Sequence, residues 1–140
     1  VLNDHASALE LMQPAYIANP TDSLVANNFA VSLIFSGQLL EASKIISTAI
    51  GNAKNTEYLS LLATSGLLLF RYGEPDNGRE FYSKARESLR EDSSKRNEFI
   101  CCLYWAWEEA LSGNSDKEDL RRGFHTGHSS SFFENSTTVS

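Results

Sequence analysis

One spacing recurs three times along the chain and limits the fold more than any other feature. Asn28-Phe29-Ala30-Val31-Ser32-Leu33 aligns with Thr64-Ser65-Gly66-Leu67-Leu68-Leu69 and with Tyr104-Trp105-Ala106-Trp107-Glu108-Glu109. Each block holds a small residue (Ala30, Gly66, Ala106), and seven positions later each meets a glycine (Gly37, Gly73, Gly113). Five residues beyond the first two glycines stands another small residue (Ala42, Gly78), then a larger one (Ile46, Tyr82), then alanine (Ala49, Ala85). The blocks lie 36 and 40 residues apart. A period of this size marks stacked supersecondary units, each of which needs its neighbours to bury its apolar face.

The units read as helices. Apolar residues recur at threes and fours, as in Phe29 and Leu33, in Leu62, Leu69 and Phe70, and in Phe99, Leu103, Trp107 and Leu111. Pro75 stands where a first helical turn tolerates its fixed φ and missing N–H. Ser36-Gly37-Gln38, Tyr72-Gly73-Glu74-Pro75 and Ser112-Gly113-Asn114-Ser115 read as short turns between antiparallel helices, and Ser115-Asp116-Lys117-Glu118 as a capping box. The pattern predicts helices near 4–18, 22–36, 39–51, 57–72, 75–91, 95–112 and 116–124, and no strand alternation competes with it. The first of these continues the repeat backwards, since Ala8, Met12 and Ala15 precede Ala42, Ile46 and Ala49 by 34 residues; Asn19-Pro20 then stops it.

These residues resemble the signature of the tetratricopeptide repeat (TPR) family. Phe29-Ala30, Leu33, Gly37, Ala42, Ile46 and Ala49 match it best, with Ala8, Met12, Ala15 and Pro20 half a repeat earlier. The second repeat keeps Leu62, Gly66, Leu69, Gly73, Gly78, Tyr82 and Ala85 but has Ser65 at a usually large apolar slot. The third keeps Trp105, Ala106 and Gly113 and departs at Glu109, Glu118, Arg122 and His125. The resemblance implies an all-α, right-handed α-solenoid of antiparallel helix pairs. Its units would be the second helix of a truncated repeat (1–20), repeats at 21–54 and 55–92, and a degenerate capping repeat at 93–125 whose polar last helix faces water. A Ser/Thr-rich tail, 126–140, follows, with Phe132-Phe133 as its one apolar pair.

Charge narrows the function classes. Eighteen acidic against twelve basic residues leave the 140-residue chain at −6. That balance disfavours nucleic acid, whose phosphates are bound by clustered cations, and equally an anionic membrane surface. The longest apolar runs, Leu67 to Phe70 and Ile100 to Ala106, fall far short of the ~20 residues that span a bilayer. The chain opens on Val1-Leu2-Asn3-Asp4 without a secretory leader, which reads as a piece of a longer or processed protein. Cys101 and Cys102 are adjacent on a helical pattern, where side chains diverge by about 100°, so no bridge joins them. Two unpaired thiols suit a reducing, cytoplasmic setting.

No reactive constellation emerges. His125 and His128 share a helical spacing with no third ligand, His5 stands apart, and Glu108-Glu109 point to different faces. The glycines fall at turns and close-packing slots rather than in a phosphate cradle. The sequon Asn135-Ser136-Thr137 lacks a secretory context. Arg79, Lys84, Arg86, Arg90, Lys95 and Arg96 are interleaved with Glu80, Glu87, Glu91 and Asp92, as in a solvated face laced by charge pairs. The expectation is a non-enzymatic chain with no catalytic residue, cofactor or metal.

The resemblance does imply a concave groove lined by the first helix of each repeat. Its slots carry Leu24, Asn27, Val31, Ile34 and Phe35, then Ser60, Ala63, Leu67, Phe70 and Arg71, then Ile100, Leu103, Tyr104, Trp107 and Leu111. Asn27, Val31, Ile34, Ala63, Leu67, Phe70, Arg71, Leu103 and Trp107 are taken as partner-binding, with Trp107 as the anchor. The clamp some relatives use for a terminal carboxylate would need Lys, Arg and Asn where this chain has Asn27, Val31, Thr64, Ile100 and Tyr104. The reading is therefore a protein-interaction scaffold for a peptide or amphipathic helix. Rival readings are an accessory or substrate-docking domain of a larger enzyme and an RNA-reading helical repeat. Residues 1–18, lacking an upstream partner, are expected to expose Leu9, Leu11, Met12 and Tyr16 and to promote self-association.

Overall fold

The structure is a computed structural model that describes residues 4–91 and 95–114. Every regular element among them is a helix: α1 (Asp4–Ala18), α2 (Ser23–Phe35), α3 (Leu39–Asn52), α4 (Asn55–Arg71), α5 (Pro75–Glu91) and α6 (Lys95–Asn114). The described residues are all-α, with these six helices packed against one another. The helix expected at 116–124, its capping box from Ser115, His125, His128 and the tail at 126–140 lie outside the described residues.

Local chemistry sets the ends. The Asp22 carboxylate accepts from the amides of Leu24 (2.9 Å) and Val25 (3.0 Å), satisfying two N–H groups that the first turn of α2 leaves open. Gly37 and Gly73 close α2 and α4 with φ of +77° and +79°, a region that side-chain-bearing residues rarely enter. The hydrogen bonds around them repeat as well: Gly37 N to Ile34 O and Gln38 N to Leu33 O in one turn, Gly73 N to Phe70 O and Glu74 N to Leu69 O in the other. Gly113 differs, since α6 runs on through it to Asn114 without a positive φ.

Each helix packs on the next, and α2, α4 and α6 also touch in series. Ala30, Ala42 and Ile46 are fully buried in one cluster with Leu61, Leu68, Tyr82 and Ala85. Between α4 and α5 the approach is closer. A Cβ on Gly66 would lie 2.7 Å from Tyr82 Cδ2, and one on Gly78 would lie 2.6 Å from Phe70 Cδ2. Ser65, in a slot where a large apolar residue is usual, is fully buried and donates its hydroxyl to the Leu61 carbonyl (2.7 Å).

The first helix is less bare than its sequence suggests. Leu9, Met12 and Tyr16 pack against the core, Tyr16 stacking on Phe29 at 5.1 Å, so Leu11 and Ile17 are the large side chains it leaves exposed. Two guanidinium forks tie α6 down. Arg71 of α4 holds Glu108 (2.9 and 2.8 Å), and Arg79 of α5 holds Glu109 (2.6 and 2.9 Å). Glu109, which departs from the repeat's apolar slot, also accepts from the Trp105 indole at 3.0 Å. Two further cations of the basic run are paired: Lys84 meets Glu80 at 2.7 Å, and Arg86 approaches Glu98 at 3.9 Å.

Candidate functional site

One stripe from each even-numbered helix, spaced by threes and fours, faces a common cavity of about 250 Å³. Helix α2 contributes Asn27, Asn28 and Val31; α4 contributes Ser60, Ala63, Thr64 and Leu67; α6 contributes Asn97, Ile100, Cys101 and Tyr104. From behind, α5 adds Tyr82 and Leu89. Thr64 donates to the Asn27 carboxamide oxygen at 2.7 Å, fixing α4 to α2 across the cavity wall.

None of these thirteen residues carries an ordinary ionised group, and two weak acids among them, Cys101 and Tyr82, are made weaker still. Burial pushes the Cys101 thiol up to about 11, with Cys102 beside it adding to the rise. Burial, and after it the nearby Glu108 carboxylate, raises the Tyr82 phenol well above its ordinary value. The Tyr82 hydroxyl is buried with no hydrogen-bond partner. The two thiols are free.

The residues expected from sequence divide into three groups. Asn27, Val31, Ala63 and Leu67 line the cavity, together with the slot residues Ser60, Ile100 and Tyr104. Ile34 and Phe70 are core, 2% and 7% exposed, and the Phe70 ring lies 6.0 Å from that of Tyr82. Arg71 is outside the lining; besides gripping Glu108 it sits 5.5 Å over the Phe35 ring, which also meets Tyr104 at 6.5 Å and stacks on His5 at 4.9 Å. Leu103 and Trp107 are outside it too, 58% and 61% exposed.

The position of Trp107 has a physical reason. Two arginines pull Glu108 and Glu109 inward, and Trp105 stacks on Tyr82 (5.8 Å between centroids), so the face carrying Leu103 and Trp107 turns outward. Sequence reasoning passed over Asn28, Asn97, Cys101, Leu89 and Tyr82 as cavity residues. Tyr82 carried a signal: a hydroxyl in the slot that the preceding repeat fills with Ile46.

Among the described residues no group of three His, Cys, Asp or Glu could hold a metal ion, and no helix is long and apolar enough to cross a membrane. Compared with known proteins, the chain matches no family model, no curated protein and no solved structure. The geometry of the cavity is therefore what bears on function.

Proposed function

We propose that this chain is a protein-interaction module, a tetratricopeptide-like stack whose helices α2, α4 and α6 receive an uncharged, largely apolar peptide or amphipathic helix in their shared groove. The observation that carries the reading is the neutrality of the cavity lining among the described residues, in a chain of net charge −6. Val31, Ala63, Leu67 and Ile100 offer apolar contact, while the carboxamides of Asn28 and Asn97 and the Ser60 hydroxyl can meet the polar backbone of a bound segment. The repeated glycine turns and the serial contact of the even helices support the stack. The free cysteines suit a reducing compartment such as the cytoplasm.

Selection from a displayed random-peptide library tests the reading, with Val31→Arg and Ala63→Arg as probes of the groove, since both side chains are only half-buried. Selected peptides should be uncharged and apolar, and each variant should weaken them roughly tenfold or more, equivalent to about 1.4 kcal/mol. Binders dominated by acidic or basic residues, or binders indifferent to both variants while helicity is kept, contradict it.

A further inference from the structure

Helix α6 leaves open a face that its counterparts α2 and α4 keep buried. Ala30 and Ile34 of α2, and Gly66 and Phe70 of α4, are buried in helices on which α3 and α5 pack. The repeat puts Ala106 and Ala110 of α6 in the same slots, and both are exposed. Phe99 shares their side of the helix and is 66% exposed, where its counterpart Ser23 is buried. Leu103 and Trp107 lie between this face and the stripe that lines the cavity. Among the described residues α6 is the last helix, and the chain continues from it through residues 115–140.

The pairing of α4 with α5 shows what such a face accepts. There each large residue meets a glycine: Phe70 lies against Gly78, and Tyr82 against Gly66. On α6 both slots hold alanine, so a covering helix can bring a large side chain to each without overfilling the contact. In phase with the repeat, 115–140 would bring Glu118 and Arg122, whose charged ends lose hydration on alanine surface. Two positions later stand Leu120 and Phe124, four apart and so on one helical face, the only large apolar residues between Ser115 and His125. The end of α6 accounts for such a displacement. Helices α2 and α4 stop two residues before Gly37 and Gly73, whereas α6 runs through Gly113 to Asn114. A helix that continues past its glycine turns back later, and the residues after it move forward in register. Residues 115–140 are enough for a helix of the 14 residues of α3 or the 17 of α5.

We infer that the open face of α6 is the docking surface for this chain's own segment from Ser115 onward, with Leu120 set against Ala110 and Phe124 against Ala106, two residues out of phase with the earlier helix pairs. The docked segment braces the helix that forms the second wall of the cavity, whatever the groove binds, and leaves Leu103 and Trp107 open.

Disulfide trapping in the full chain reads the register. Gly66 and Gly78, the counterparts of positions 106 and 120, approach so closely that a Cβ on either would lie 3.0 Å from the other's carbonyl oxygen. With Cys101→Ala and Cys102→Ser as background, Ala106→Cys with Leu120→Cys should close an intramolecular bridge roughly tenfold or more faster than Ala106→Cys with Glu118→Cys. A faster bridge from position 118, bridges formed between molecules, as a second copy seated on this face would give, or no bridge at all overturns the inference. Amide exchange in chains that keep both cysteines gives a second reading, which stands even where a cysteine variant does not fold. Leu120→Asp and Phe124→Asp should each speed exchange in α6 roughly fivefold or more, while Glu118→Ala and Arg122→Ala leave it within about twofold. Four equal responses, or larger ones from positions 118 and 122, contradict the docking.

Discussion

Helices α2 and α6 present the same repeated pattern to the rest of the molecule and are held by different forces. Helix α2 has no charged side chain and buries seven residues, from Ser23 to Ile34, against α1, α3 and α4. Helix α6 buries Cys101 and Glu108 among its described side chains and leaves Phe99, Leu103, Trp107 and Leu111 exposed. Where α2 has Leu33, α6 has Glu109 paired with an arginine. Apolar burial adds stability with little demand on geometry; a bidentate guanidinium–carboxylate pair fixes geometry while adding little net stability, because desolvation offsets much of its attraction. The cavity thus has a firm wall on α2 and α4 and a second wall, on α6, that is accurately placed but lightly bound.

The largest effect should come from the firm region. Leu68 is fully buried, and Leu68→Ala should lower unfolding stability by about 2–5 kcal/mol in chemical denaturation. A smaller loss from that substitution than from any single change in α6 would reverse the comparison. Next comes Arg71→Ala, which strands a Glu108 carboxylate whose side chain is 3% exposed. Breaking a buried pair costs about 3–5 kcal/mol; with Arg71 itself a third exposed, about 2 kcal/mol is expected. Replacing both partners, Arg71→Leu with Glu108→Leu, should recover much of that loss, and a double-mutant cycle with no recovery would mean that α6 depends on the ion pair for stability as well as position.

Smaller effects sharpen the picture. Leu103→Ser and Trp107→Ser should each shift stability by no more than about 0.5 kcal/mol, as exposed positions do. A larger shift would show that this face of α6 is covered in solution. The mildest probe is chemical: near pH 8 a thiol reagent should modify Cys101, buried and with its pKa near 11, roughly tenfold or more slower than half-buried Cys102. Equal rates would indicate that α6 separates from α5 readily.

Most of the fold was legible because its determinants are local. Glycines at positions 37 and 73 announce helix ends by the positive φ they adopt, and Gly66 and Gly78 mark the close approach of α4 to α5. The same periodicity placed Asn27, Val31, Ala63 and Leu67 on one surface. Helix α6 defeated the extrapolation. The arginines that set its rotation lie 37 and 30 residues upstream of Glu108 and Glu109, and no local spacing reveals such pairs. Leu103 and Trp107 were carried into the groove by analogy with α2, whereas α6 lines the cavity with Ile100 and Tyr104, which the repeat slots pointed to, and with Asn97 and Cys101, which they did not. Tyr82 was read as packing, and its ring fills that slot between Gly66, Phe70 and Trp105.

Amide hydrogen exchange, followed along the chain under native conditions, tests most directly whether the cavity stands between a firm block and a lightly bound helix. Helices α2 to α5 should exchange together at the free energy of global unfolding, and α6 should open at a distinctly lower one. Arg71→Ala should lower the opening energy of α6 further while changing protection in α2 and α3 little. Exchange of α6 in step with α2 to α5, in the unsubstituted protein and in Arg71→Ala alike, would contradict the account.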